Sequence, residues 1–343
     1  MPAADNSSLS SCCNVDTTIA DFEEETRNAA AVQNRVLTEI LLRNAETEYL
    51  RERCGLRGCD GTRSFKQKVP LVTHSELKPY FDRIADGDQL QSPSELFVSE
   101  KVQFCSGTTS DGQQKYLVLY KENLEASGFL SNIAAAYPCI YFLLCLAGGM
   151  FLELVFSGKL STTKGGISLG IATTHLFRSK EFKQKQKFAR VRACSPDEVV
   201  RHSDNRQAMY CHLLCALLCW DELEFITATF AYTIVEAFHT LEREWANLCN
   251  DIRQGELTRW ITDVEVRAAM SKLMPRPDPE LADTISSKCS ALEGWAGVIP
   301  QIWPNCKYIY SIMTGSMEPY LDRLHHYAGA MPLVSADYGA TEW

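Results

Sequence analysis

Between residues 19 and 49 apolar side chains recur at helical spacing, with Val32, Val36, Ile40 and Leu41 on one stripe, which predicts a long amphipathic helix. The preceding residues 1–17 are rich in Ser, Asn, Asp and Thr and predict a disordered N-terminus. Ser75-Glu-Leu-Lys-Pro-Tyr-Phe-Asp-Arg-Ile predicts a second helix, capped by Thr73 or Ser75. Two short runs, 96–98 and 101–104, read as strands that lead into a glycine-bearing loop. Further on, 152–156 alternates as a strand and 161–170 is a glycine-punctuated connection. Ser195-Pro-Asp-Glu places a carboxylate three residues after a serine, the sequence sign of a capping box. Residues 204–218 and 227–250 read as helices, and Met274-Pro-Arg-Pro-Asp-Pro-Glu breaks the chain before a short helix to Cys289. The runs 308–314 and 332–336 read as strands, with a helix over 317–327 between them. Helical and strand patterns alternate throughout, so the fold class is α/β.

One apolar stretch raises the question of a membrane. Residues 126–152 carry no charge, but Asn132, Pro138 and the Gly148-Gly149 pair interrupt them. A spanning helix needs about 20 continuous apolar residues. The segment therefore reads as a helix to about Tyr137 followed by buried strand, and an integral membrane protein is the reading set aside.

The 343 residues could hold one large domain or two smaller ones, and the net charge of −9 argues against a broad nucleic-acid or anionic-membrane surface. Fourteen cysteines are many, yet no secretory leader opens the chain and no CxxC pair occurs. Cys211, Cys215 and Cys219 recur every four residues, which suits the buried stripe of a helix better than zinc. Reduced thiols in the cytoplasm fit this usage.

Candidate chemistry begins at residues 105–115, Cys-Ser-Gly-Thr-Thr-Ser-Asp-Gly-Gln-Gln-Lys. Gly107 and Gly112 allow close backbone approach to an anion, and the hydroxyls of Ser106, Thr108 and Thr109 can join successive N–H groups around phosphate oxygens. Lys115 supplies a point charge. The loop lacks the Walker A spacing, and a polar hairpin turn would look the same. A second motif, Tyr338-Gly-Ala-Thr-Glu-Trp343, follows a predicted strand. Its tyrosine can stack on a purine, and its Thr-Glu pair offers a hydroxyl to phosphate and a carboxylate to Mg²⁺. A buried strand end would look similar.

Taken together, the two motifs stand in the order used by adenylate-forming enzymes. The sequence resembles the plant Gretchen Hagen 3 acyl acid–amido synthetases from about Phe22 to Trp343. The resemblance is carried by Cys-Ser-Gly-Thr-Thr, Thr-Lys-Gly-Gly (163–166), Ala-Thr-Thr-His (172–175), Cys-Ser-Pro-Asp-Glu-Val (194–199) and Tyr-Cys-His-Leu-Leu (210–214). It continues in Pro-Glu-Leu-Ala-Asp-Thr-Ile (279–285), Met-Thr-Gly-Ser-Met-Glu-Pro-Tyr (313–320), His-Tyr-Ala-Gly (326–329) and Pro-Leu-Val-Ser-Ala-Asp-Tyr-Gly (332–339). The wording is most similar to the jasmonate-conjugating branch, and auxin-conjugating members are close.

The resemblance implies the N-terminal domain of a luciferase-like adenylate-forming fold, with mixed sheets flanked by helices. It also implies a reaction: a hormone carboxylate, jasmonic or indole-3-acetic acid, reacts with ATP to give an acyl-adenylate and pyrophosphate. An amino acid amine then displaces AMP to form an amide. By the same resemblance Lys115 and Glu342 are catalytic, with Glu342 also holding Mg²⁺. Ser106, Gly107, Thr108, Thr109, His175, Tyr338, Gly339, Ala340, Thr341 and Glu342 contact nucleotide. Thr109, Thr173, Leu176, Thr227, Ala336 and Trp343 line the acyl site. Met313, Met317 and Tyr320 read as core. The implied protein is a cytoplasmic monomer acting on small molecules, with neither nucleic acid nor membrane as partner.

Three departures qualify this. Cys105 stands where the family has a serine, no Lys or Arg lies between Glu122 and Lys159 where the family carries arginines, and no glycine separates Glu342 from Trp343. The family's Tyr-Arg-Val-Gly-Asp type motif and small C-terminal domain are missing. Residues 18–343 are thus expected to be an incomplete adenylation domain, and the alternative is an inactive remnant that retains only weak nucleotide or acid binding.

Overall fold

A computed structural model describes residues 12–56, 61–88, 103–108, 114–119, 133, 149–179 and 192–335. Its strands are β1 (Gln103–Thr108), β2 (Gln114–Leu119), β3 (Met150–Leu154), β4 (Ser161–Thr162), β5 (Ser168–Gly170), β6 (Arg192–Ala193), β7 (Leu223–Phe230), β8 (Tyr308–Ile312) and β9 (Leu333–Val334). The chain divides into two units. One comprises Met1–Cys139, Lys159–Leu176 and Thr341–Trp343, the other Ile140–Gly158 and Phe177–Ala340.

The first unit is built on a mixed sheet in the order β2-β1-β5-β4. The helix His74–Ala85 covers it, burying Phe81 and Ile84 with Ile167 against Tyr116, Val118 and Leu169. Thr73 caps this helix: its N–H and hydroxyl donate to the Glu76 carboxylate at 2.7 and 2.9 Å, and these bonds hold the Glu76 pKa below the usual carboxylate range.

The single long helix expected over 19–49 is two helices, Cys12–Arg27 and Ala29–Arg43. Both end at an asparagine whose side-chain amide donates to a carbonyl four residues back: Asn28 to Glu24 at 3.2 Å, Asn44 to Ile40 at 2.7 Å. Asparagine competes in this way with the backbone ladder. The first helix also begins at Cys12, inside the stretch 1–17 expected to be disordered.

The second unit holds an all-parallel sheet in the order β6-β3-β7-β8-β9. Numbered along the chain this is 2-1-3-4-5, a doubly wound sheet whose direction of growth reverses beside β3. The helix Asn205–Leu218 is buried at every position from Ala208 to Leu217, as an apolar-all-round helix must be. The Trp303 indole, fully buried, donates to the Ala216 carbonyl at 2.8 Å. Cys211, Cys215 and Cys219 lie in this core, and no group among the described residues could hold a metal ion. Met313 is also core, with Met317 and Tyr320 packed against it.

Three sequence expectations change here. Residues 227–230 belong to β7, and the helix starts at Ala231 (Ala231–Gln254), so Thr227 is a strand residue. The short helix Asp197–Val200 has Pro196 at its N-cap position without a side-chain cap bond, and the Ser195 hydroxyl bonds His212 instead. The segment 317–327 is a 3-10 turn, Gly315–Tyr320, followed by the helix Leu321–Ala328.

No helix among the described residues is long and apolar enough to cross a membrane. Most of the apolar stretch 126–152 lies outside the described residues. Of its end, 150–152 enter β3.

Candidate functional site

In the first unit the glycine-bearing segment forms one side of a hairpin. β1 pairs antiparallel with β2, placing Ser106 opposite Tyr116, Gly107 opposite Lys115 and Thr108 opposite Gln114. The connection is therefore 109–113, a span that includes Thr109 and lies outside the described residues. Position 107, which has no side chain, faces the lysine position across the ladder, so the backbone beside Lys115 is unobstructed by a Cβ. The hairpin reading and the phosphate-loop reading share this backbone.

On its other edge β1 pairs parallel with β5, with Cys105 opposite Gly170. The helix Ala172–Arg178 follows β5 almost at once and carries Thr173, His175 and Leu176. His175 is only 3% exposed, and a Cβ on Gly170 would come 3.4 Å from its Nε2. Thr173 and Leu176 are half-buried. One sheet thus gathers Ser106, Gly107, Thr108, Lys115, Thr173, His175 and Leu176, which lie far apart in sequence.

In the second unit Thr227 sits on β7, opposite Glu153 on β3 and Tyr310 on β8, and is half-buried. It lies toward the carboxyl end of the parallel strands, the end at which doubly wound sheets bind ligands. β9 leads directly toward Ala336. The Met313 N–H donates to the Ser335 hydroxyl at 3.2 Å just before that point. Ala336, Tyr338, Gly339, Ala340, Thr341, Glu342 and Trp343 lie outside the described residues.

Other buried polar groups of the second unit were not singled out from the sequence. The Ser195 hydroxyl bonds His212 Nδ1 at 2.7 Å, and His212 Nε2 lies 3.0 Å from the Val155 carbonyl oxygen. Burial pushes the His212 pKa down to about 4. The Tyr210 hydroxyl donates to Asp251 at 2.8 Å, and Asp251 also accepts from the Thr258 N–H at 2.9 Å. Burial raises the Asp251 pKa even so. Arg178, Glu198, Arg201, His202, Ser203, Asp263 and Glu265 line an open polar cleft of about 300 Å³. The Ser195–His212, His212–Val155 and Tyr210–Asp251 bonds join residues at least 17 apart, so no local pattern announces them.

A mixed-sheet unit bearing the glycine hairpin and a doubly wound parallel-sheet unit define an α/β protein. The chain belongs to the GH3 family: the GH3 family N-terminal domain matches residues 18–333. It is 45% identical over 324 residues to the jasmonoyl–L-amino acid synthetase JAR6 of Nicotiana attenuata, covering 94% of this chain and 55% of that protein. It is 44% identical over 328 residues to the jasmonoyl–L-amino acid synthetase GH3.3 of Oryza sativa subsp. japonica, covering 94% of this chain and 69% of that one. The indole-3-acetic acid-amido synthetase GH3.10 of Arabidopsis thaliana is 42% identical over 339 residues, covering 95% of this chain and 56% of that protein. Among solved structures, AtGH3.15 acyl acid amido synthetase in complex with 2,4-DB superposes with a TM-score of 0.82 at 32% identity, over 99% of this chain and 56% of that one. The chain thus spans little more than half the length of most of these proteins.

Proposed function

We propose that the chain carries the adenylating half of an acyl acid–amido synthetase, which joins jasmonic or indole-3-acetic acid to an amino acid through an acyl-adenylate. One observation carries this within the family: a single sheet sets Gly107 opposite Lys115 and, on the other edge of β1, Gly170 opposite Cys105, next to the helix of Thr173 and His175. The donor set suits a polyphosphate. Backbone N–H groups and hydroxyls of Ser106, Gly107, Thr108 and Thr109 would receive the phosphates, and Lys115 would offset their charge. Tyr338, Gly339, Ala340 and Thr341 would contact adenine and phosphate, and Glu342 would hold Mg²⁺. ATP brings the leaving group that makes the carboxylate carbon reactive, so no covalent protein nucleophile is required. Thr109, Thr173, Leu176, Thr227, Ala336 and Trp343 would receive the acid.

A carboxylate approaching the α-phosphate meets negative charge, and the task of Lys115 and the loop N–H groups is to screen it. His175, buried beside Gly170, would keep the loop and the helix Ala172–Arg178 at a fixed spacing. The protein acts as a cytoplasmic monomer in this reading. Eight cysteines among the described residues are free and buried, in accord with a reducing compartment.

ATP–pyrophosphate exchange with jasmonic and indole-3-acetic acids, run on this chain, tests the proposal. Acid-dependent exchange is the expected result. A folded sample with no exchange would overturn catalysis by this chain and favour binding alone.

A further inference from the structure

Two sequence motifs have no task in the synthetase reading: Cys-Ser-Pro-Asp-Glu-Val (194–199) and Tyr-Cys-His-Leu-Leu (210–214). They meet at one hydrogen bond inside the parallel-sheet unit, between the Ser195 hydroxyl and His212 Nδ1 at 2.7 Å. His212 Nε2 lies 3.0 Å from the Val155 carbonyl oxygen. A carbonyl can only accept, so the ring proton sits on Nε2 and the Nδ1 lone pair receives the serine proton. The ring is fully buried, with Phe156 edge-on to it at 5.3 Å between centroids.

Val155 is the first residue past β3, and Ser195 is the second past β6. His212 therefore ties together the exits of two neighbouring parallel strands. Residues 155–158 are held at their far end as well: the Ser157 N–H donates to the Val200 carbonyl at 3.1 Å, and Arg178 Nε donates to the Ser157 hydroxyl at 3.2 Å. The chain leaves this unit after Gly158 and returns at Phe177, so the Arg178–Ser157 bond joins the departing segment to the returning one. In the sheet Glu153 lies opposite Thr227 and Leu154 opposite Ala228, so the exit begins one residue beyond the row next to Thr227.

We infer that His212 is a positioning residue: a neutral imidazole, oriented by Ser195, that fixes the course of residues 155–158 and so shapes the acid-binding end of the parallel sheet. Only the link to the acid rests on the synthetase reading. A leucine of similar volume would fill the core but leave the Val155 carbonyl and the Ser195 hydroxyl without their partner, and a buried polar group left unpaired is costly.

The test uses the full chain with His212→Leu, His212→Gln and the milder Ser195→Ala. Long-range ¹H–¹⁵N spectra of the wild-type ring are expected to show the neutral Nε2–H tautomer near neutral pH. An Nδ1–H tautomer or a charged ring would overturn the inference without any variant having to fold. Amide exchange at Ser157 should rise about tenfold in His212→Leu, or in Ser195→Ala if the leucine variant does not fold, and less in His212→Gln, which keeps a donor for Val155. Exchange that is unchanged, or that rises equally throughout the unit, would reduce His212 to a core residue and overturn the inference. Calorimetric titration with jasmonic and indole-3-acetic acids should show about tenfold weaker binding in the leucine variant, with recovery in the glutamine one. If wild type binds neither acid, the synthetase reading fails while Ser157 exchange still decides the positioning role. If acid binding is unaltered although Ser157 is loosened, the link to the acid end is overturned.

Discussion

The backbone N–H of Met313 donates to the hydroxyl of Ser335 at 3.2 Å, fastening the end of β8 to the residue after β9. The chain runs from this tether into Ala336 and the hexapeptide 338–343 assigned above to nucleotide, Mg²⁺ and acid. Ser335→Ala removes the acceptor and should lower stability by about 1 kcal/mol. Its larger effect should be on nucleotide affinity, with ATP binding several-fold weaker. Paired thermal melts and ATP titrations would separate the two, and unaltered ATP affinity would show that the tether does not serve the hexapeptide.

The Thr-Lys-Gly-Gly motif is explained by close backbone packing. A Cβ on Gly165 would collide with Gly87 N and lie 2.5 Å from Gly87 Cα, while the Gly165 N–H donates to the Ala85 carbonyl at 2.9 Å. Main-chain atoms cannot rotate away as a side chain would. Gly165→Ala should therefore cost about 1–3 kcal/mol, as overpacking does. Urea denaturation should show a lower midpoint at unchanged slope. A midpoint equal to wild type would contradict the close approach.

Local chemistry was legible in the sequence wherever the partner lay within a few residues. The Thr73–Glu76 cap and the buried cysteine stripe of Asn205–Leu218 both follow from near neighbours. Long-range partners overrode other local signals. Ser195 has the spacing of a cap, but its hydroxyl goes to a histidine 17 residues on. Thr227 reads as helical because residues 223–250 contain no glycine or proline to mark a boundary, whereas pairing with β3 and β8 makes 223–230 a strand. The glycine-bearing segment was legible as a candidate hairpin, and β1 and β2 do pair as one. The opposition of Gly107 and Lys115, and the neighbouring β5 that brings up His175, come only from the sheet.

Burial also fixes cysteine reactivity. The thiols of Cys211, Cys289 and Cys306 are pushed up to about 12 and that of Cys249 to about 11, while Cys194 is raised by its hydrogen bond with Cys219 and by burial, and Cys215 by burial and the neighbouring thiols. The thiolate is the reactive form. Iodoacetamide at mildly alkaline pH should leave these six unmodified in the folded protein and alkylate them all in denaturant, as read by peptide mass spectrometry. Ready native labelling at Cys211 or Cys215 would mean that the helix Asn205–Leu218 opens.

His212 sets a pH dependence whose sign can be worked out. Its ordinary pKa near 6.5 falls to about 4 in the folded state because burial disfavours the charged ring. Between those values the unfolded chain binds a proton that the folded chain does not. Stability is therefore at its full value above about pH 6.5, declines as pH falls, and levels off below about pH 4, the total being roughly 3 kcal/mol. Cys194 and Cys215, the thiols beside Ser195, are raised above their ordinary range and stay protonated throughout. Carboxylates elsewhere add their own acid limb, so the measurement is a difference. Urea denaturation of wild type and His212→Gln across this range should show wild type losing stability faster on acidification. Parallel curves would mean that the ring takes up its proton without unfolding, in conflict with its enclosure between Ser195 and the Val155 carbonyl.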